Sequence, residues 1–126
     1  MTARLIVDGN NVIGSRPDGW WRDRAAATRR LVERLGVRAA DVGEAVTVVF
    51  DGPRPEGLEA PPAVETMFAE RSGRDAADDV IAALVAEDPQ PGRLRVVTSD
   101  SRLAARVRAH GAEVVGARGF RDALDA

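Results

Sequence analysis

The chain contains no cysteine, no lysine and no tyrosine, and its one histidine is His110. Without cysteine there is no disulfide, no thiolate metal site and no cysteine nucleophile. Without lysine there is no Schiff-base chemistry and no P-loop lysine to hold a phosphate. His110 stands before Gly111 at the end of a helical pattern, so a surface or capping role is expected and no Ser-His-Asp arrangement can be drawn. No apolar run reaches the length a membrane helix needs. The N-terminus enters a strand without a signal-peptide pattern, so a cytoplasmic location is expected. Aromatic residues are scarce too, at two tryptophans and three phenylalanines.

What remains describes an ordinary globular chain. It has 126 residues, 44% of them apolar and 30% charged, which fits one domain with a real core, spanning 1–126. All 18 basic residues are arginine against 20 acids, for a net charge of −2. Arginine suits phosphate and stacked bases, although the abundance of Ala, Gly and Val beside it points more strongly to a general composition bias. So little excess positive charge argues against tight non-specific binding to nucleic acid.

The most informative stretch is Arg4-Leu5-Ile6-Val7-Asp8-Gly9-Asn10-Asn11. A short branched apolar run reads as a strand covered on both faces, and Gly9-Asn10-Asn11 reads as a turn. Asp8 then stands at the carboxyl end of a buried strand, where open α/β sheets bind ligands, unless it only starts the turn or caps the next helix. A helix is predicted over about 20–35, with Asp18 as N-cap and Gly36 as its end. A second strand over 45–50 stops at Asp51-Gly52-Pro53. A proline- and glycine-rich loop over 53–62 leads to an edge strand at 64–69. The basic turn Arg71-Ser72-Gly73-Arg74 opens a helix running from Asp75 to about Glu87. A fourth strand over 95–98 ends in Ser99-Asp100, a helix follows over 101–110, and a short strand and a terminal helix complete the chain. This alternation predicts a three-layer α/β/α sandwich around a mostly parallel five-stranded sheet. Numbered along the chain, the strands take the order 3-2-1-4-5.

In that topology Asp8, Asp51 and Asp100 share one sheet edge. The helix over 75–87 adds more acids. Its apolar face is Ala77, Val80, Ile81, Leu84 and Val85, so Asp78 at the border is the first choice for an inward role. Asp79 is second, and Asp75 fits a helix-dipole role better. Carboxylates gathered in a low-dielectric cleft repel unless protonated or joined by a cation. Oxygen ligands without Cys select Mg²⁺ or Mn²⁺, ions suited to activating water at a phosphodiester. Asn11 is either a turn residue or a group that orients a water or phosphate oxygen. If repulsion dominates, Asp8→Asn and Asp100→Asn should both raise the melting temperature of metal-free protein. Arg16, Arg22, Arg71, Arg74 and Arg102 could form a basic rim. Of Trp20 and Trp21, one is expected to be packed and one partly exposed, with Trp20 a candidate to stack an unpaired base.

Asp8-Gly9-Asn10-Asn11, Phe50-Asp51-Gly52, Ala77-Asp78-Asp79-x-Ile81 and Thr98-Ser99-Asp100, in this order, resemble the motif series of NYN domains in the PIN-like nuclease superfamily, in particular the YacP-like branch. The resemblance runs over almost the whole chain. It implies a PIN-like sheet and a metal-dependent endoribonuclease, with Asp8, Asp78 and Asp100 as the catalytic, metal-binding acids and Asn11, Asp51 and Asp79 in support. One departure is Ala104, where some NYN nucleases carry a further acid; Glu33 is either a substitute or part of a solvated helix face. The leading expectation is a Mg²⁺- or Mn²⁺-dependent ribonuclease acting on single-stranded or loop RNA. A second reading is an RNA- or ribosome-binding module that keeps the acidic pocket without turnover. A phosphatase is weaker, because no strand ends in the D-x-D arrangement of an aspartyl-phosphate nucleophile.

Overall fold

The computed structural model describes residues 4–69 and 76–126, so Arg71, Arg74 and Asp75 lie outside the described residues. Five strands form the sheet: β1 (Arg4–Asp8), β2 (Ala45–Asp51), β3 (Val64–Ala69), β4 (Leu94–Val97) and β5 (Glu113–Val115). Their order is β3-β2-β1-β4-β5, and every neighbouring pair is parallel. The expected order is therefore present, in a sheet that is wholly rather than mostly parallel. The helices are α1 (Gly9–Gly14), α2 (Arg24–Val42), α3 (Ala76–Glu87), α4 (Ser101–Ala109) and α5 (Ala117–Asp125). No helix among the described residues is long and apolar enough to cross a membrane.

Strand periodicity divides the core in two, because successive side chains point to opposite faces. Leu5, Val7, Val46, Val48, Phe50 and Val97 pack with Leu31, Val32 and Leu35 of α2 and Phe120 of α5. On the other face Ile6, Val49 and Val96 meet Ile81 and Val85 of α3 and Leu103 and Val107 of α4. The sheet is thus sandwiched between α1, α2 and α5 on one side and α3 and α4 on the other.

Three local expectations are corrected. Gly9-Asn10-Asn11 is not a turn but the start of α1, which follows β1 directly. Asp18 does not cap α2; Asp23 does, its Oδ1 accepting from the Ala26 N–H at 3.0 Å. Gly36 lies inside α2, which runs on to Gly43 at φ 67°. A Cβ at Gly36 would stand 2.4 Å from Pro61 Cγ. The glycine therefore serves contact with the loop between β2 and β3, which crosses over α2 without a helix of its own and buries Leu58. Helical apolar periodicity continues past the glycine through Ala39, and a single glycine weakens a helix by only about 1 kcal/mol.

Gly9 has a similar reason to be glycine. A Cβ there would meet the Phe50 ring at 2.4 Å and the Val49 carbonyl oxygen at 3.0 Å. Phe50 is fully buried and stacked on Phe68 at 5.1 Å, so its ring has little room to yield. Gly9→Ala should therefore cost about 1–3 kcal/mol by overpacking. Urea denaturation measures this, and an unchanged midpoint would show the α1–β2 contact to be slack.

Candidate active site at the carboxyl edge of the sheet

β1 runs outward through three fully buried residues to Asp8, which remains only 5% exposed. Its register neighbour on β2 is Val49, so Asp51 stands two residues further out, roughly 7 Å along the strand. On the other side Val7 pairs with Val97, which sets Thr98 beside Asp8 and Asp100 two residues beyond. Asp8 is the floor of the site, and Asp51 and Asp100 belong to its rim.

Hydrogen bonds tie floor to rim. The Thr98 hydroxyl donates to Asp8 Oδ2 at 2.9 Å, and Thr98 Oγ1 accepts the Asp100 N–H at 3.1 Å. Asn10 Oδ1 accepts the Asp51 N–H at 2.8 Å, and Asn11 Oδ1 accepts the Ser99 N–H at 2.8 Å. The two asparagines thus clamp the start of α1 to the ends of both neighbouring strands. Asn11 is a structural clamp on its oxygen side, and its NH₂ group has no hydrogen-bond partner among the described residues. Asn10 and Thr98 escaped the reading of the sequence. Thr98 was detectable as the first polar residue after an apolar strand, and Asn10 by its place beside Asn11.

Two rim acids also serve as helix caps. Asp100 Oδ1 accepts from the Arg102 and Leu103 N–H groups at 2.9 and 3.0 Å, capping α4. Asp51 Oδ1 accepts from the Ala77 N–H at 2.9 Å, reaching across to the first turn of α3. Each keeps its second oxygen out of the cap. Ser99 extends the scheme, its Oγ accepting from the Ala117 N–H at the start of α5. Helix N-termini favour negative charge, which explains how acids can be held here together.

Asp8 stands as the N-cap of α1 but makes no regular side-chain cap bond, and its interaction with the Asn11 N–H of that helix is outweighed by burial. Burial raises its pKa from 3.8 to about 6; the Thr98 hydroxyl and the Asn11 N–H oppose the shift, and the charges of Asp78 and Asp51 add to it. Asp78 thus lies within electrostatic reach of Asp8. Asp79 faces outward, with its side chain 65% exposed, and pairs with Arg106 at 2.9 Å. Glu33 is exposed on α2, Ala104 is buried in α4, and His110 is the exposed C-cap of α4.

The other rim candidates divide. Arg16 is turned towards α5, bonding Asp122 and lying 3.3 Å from Asp125. It borders a cavity of about 170 Å³ between α1, α2 and α5 whose other arginines include Arg34, paired with Asp125, and Arg121, paired with Asp18. That cavity belongs to a clasp fastening α5, away from the acids. Arg22 and Arg102 are exposed and form no ion pair among the described residues. Trp20 is half-buried against the core, and Trp21 is 50% exposed.

A wholly parallel sheet of this order with helices on both faces is a doubly wound α/β domain, here with acids at its carboxyl edge. A family model for the YacP-like NYN domain matches residues 5–126, and the chain belongs to that family, within the PIN-like nuclease superfamily. It is similar to the crystal structure of Rae1 (YacP) from Bacillus subtilis, with 26% identity and a TM-score of 0.79 over 97% of this chain and 73% of that one. A mutant of the same Bacillus protein gives 25% identity and a TM-score of 0.75, over 96% and 73%. No curated protein sequence matches significantly. Nucleases of this superfamily generally use divalent metals.

These contacts separate two acids that sequence alone treats alike. In metal-free protein the folded state holds the Asp8 proton more tightly than the unfolded chain. Its contribution is therefore full below pH 4 and lost as pH rises through 6, a decline of roughly 3 kcal/mol. Asp8→Asn should abolish that decline and raise the melting temperature at pH 7.5; a lower melting temperature would mean the charge is satisfied in the fold. Asp100→Asn, by contrast, should be nearly neutral because Asn also caps, whereas Asp100→Ala should cost about 0.5–2 kcal/mol. Equal losses for the two Asp100 variants in urea denaturation would contradict the capping role.

Proposed function

We propose that the protein is a metal-dependent endoribonuclease that hydrolyses RNA phosphodiester bonds at the carboxyl edge of its sheet, with Asp8, Asp78 and Asp100 as the metal-binding acids. The observation that carries this reading is the state of Asp8: a buried carboxylate facing other carboxylates, with no arginine paired to it among the described residues. Its donor set is all oxygen, which fits Mg²⁺ or Mn²⁺. Among the described residues no three or more acids are drawn close enough to cage an ion. That is compatible with Mg²⁺, which keeps several waters and needs only one or two protein carboxylates. When bound, such an ion supplies an acidified water and stabilises charge on the phosphate.

The chain's own residues would do the rest. Thr98 fixes the rotamer of Asp8, and the cap bonds of Asp100 and Asp51 point their remaining oxygens without cost in flexibility. The amide NH₂ of Asn11 can donate to a phosphate oxygen, and exposed Arg22 and Arg102 can meet neighbouring phosphates. Asp79 supports the site by holding α3 against α4 through Arg106. The substrate favoured by an open edge is single-stranded or looped RNA, and the cytoplasm is the compartment that suits it.

A second reading, an RNA- or ribosome-binding module with little turnover, draws on the same geometry. Two of the acids are engaged as helix caps and no cage stands ready among the described residues. Incubation of purified protein with RNA and Mn²⁺ or Mg²⁺, beside EDTA and Asp8→Asn controls, separates the readings. The nuclease should cleave internally and lose at least a hundredfold in rate in both controls. Cleavage that persists in EDTA and in Asp8→Asn would remove the metal mechanism, and binding without cleavage in either ion would favour the module.

A further inference from the structure

Trp21 is the one aromatic side chain among the described residues that is left largely open, half exposed in a chain with only five Trp and Phe residues. It is not loose. Residues 20–22 form a single 3₁₀ turn entered through Gly19 at φ 87°. That turn is closed by the Arg22 N–H on the Gly19 carbonyl at 3.0 Å and the Asp23 N–H on the Trp20 carbonyl at 3.3 Å. Trp20 acts as its footing. It packs against the core, carries the Arg24 guanidinium 5.3 Å from its ring centre, and meets Trp21 edge to face with centroids 5.9 Å apart.

The footing is joined to the acidic edge. Trp20, Arg24 and Thr28 border a cavity of about 80 Å³ together with Asn10, the residue that clamps Asp51. Trp20 therefore stands beside the first turn of α1, whose Asn10 reaches the rim, and Trp21 lies one ring contact further out. Arg22, adjacent to Trp21, is exposed and forms no ion pair among the described residues. An aromatic face held rigid, with a free guanidinium beside it, matches an unpaired base and its phosphate.

We infer that Trp21, rather than Trp20, is a stacking platform for one unpaired base of the RNA, with Arg22 meeting the adjacent phosphate. This rests on the reading of the acidic edge as a site for RNA, and it names how a single strand is held next to it. Trp21 is a substrate-binding residue here; it takes no part in bond breaking. Base stacking on an aromatic side chain tolerates any base, so the platform selects unpaired structure rather than sequence.

The test measures binding of a fluorescein-labelled oligouridylate by anisotropy, in EDTA and again with Mg²⁺, for wild type, Trp21→Leu and Trp21→Phe. Trp21→Leu should weaken binding roughly tenfold while leaving the melting temperature unchanged, and Trp21→Phe should recover most of the loss. An oligonucleotide of the same length with abasic sites should bind wild type and Trp21→Leu equally well. Arg22→Gln should reduce the salt dependence of binding without altering the preference for bases. Equal affinity of wild type and Trp21→Leu for the oligouridylate would overturn the platform and leave Trp21 to a protein surface. So would a wild type that binds no RNA in either condition. Because binding is read separately from cleavage, RNA bound through Trp21 without cleavage would sink the nuclease and leave the platform standing. Cleavage indifferent to Trp21 would do the reverse.

Discussion

The structure turns on an uncompensated charge, the Asp8 carboxylate at the end of β1. The same protein shows what a compensated one looks like. Glu44, at the opposite end of the sheet, is also buried, though less deeply, and Arg38 bonds it at 2.7 Å and Arg95 at 2.8 Å. Burial alone would raise its pKa, but the two guanidiniums outweigh burial and lower it. Among the described residues Asp8 receives only a threonine hydroxyl and a backbone N–H, and its pKa rises to about 6. A buried acid facing other acids is expensive, and positive charge from a ligand is the direct way to relieve it. One sheet therefore carries a structural carboxylate at one end and a poised one at the other.

The acids around Asp8 are held by the architecture itself. In a parallel sheet every following helix begins at the same edge, so strand ends and helix N-termini converge there. Asp51 and Asp100 exploit both, closing α3 and α4 with one oxygen while standing over the site. Asn10 and Asn11 brace the same edge from α1. The consequence is coupling: the rim cannot be rearranged without loosening a helix. Each rim acid is thereby fixed on one side by the helix it caps.

The strands and their order were legible because buried parallel strands are rich in apolar residues, and the first and second end in aspartate while the fourth is followed at once by Thr98-Ser99-Asp100. Asp8, Asp51 and Asp100 followed from that, and the helical spacing of Ala77, Ile81 and Val85 distinguished Asp78 from Asp79 before any coordinates. Helix boundaries were less legible. Gly36 reads as a stop by propensity, but its small size serves the passage of Pro61, a contact distant in sequence. Asp18 reads as a cap, yet Arg121, more than a hundred residues later, takes it into the α5 clasp. Arg16 is diverted for the same reason. Local rules failed where a partner from far along the chain competed for the side chain.

That diversion of arginine bears on how an acidic chain could hold RNA at all. Arg16, Arg34 and Arg121 are committed to Asp18, Asp122 and Asp125, and Arg38 and Arg95 to Glu44. Of the rim arginines, Arg16 is thus lost to the α5 clasp, and the net charge is −2. Long-range electrostatic steering of RNA is therefore weak, and counterion release can supply only a small part of the affinity. On the proposed reading, recognition would therefore rest on short-range contacts made after encounter: cations held between carboxylate and phosphate, and aromatic surface for bases. The first would locate the strand over Asp8, and the second would favour an unpaired strand there.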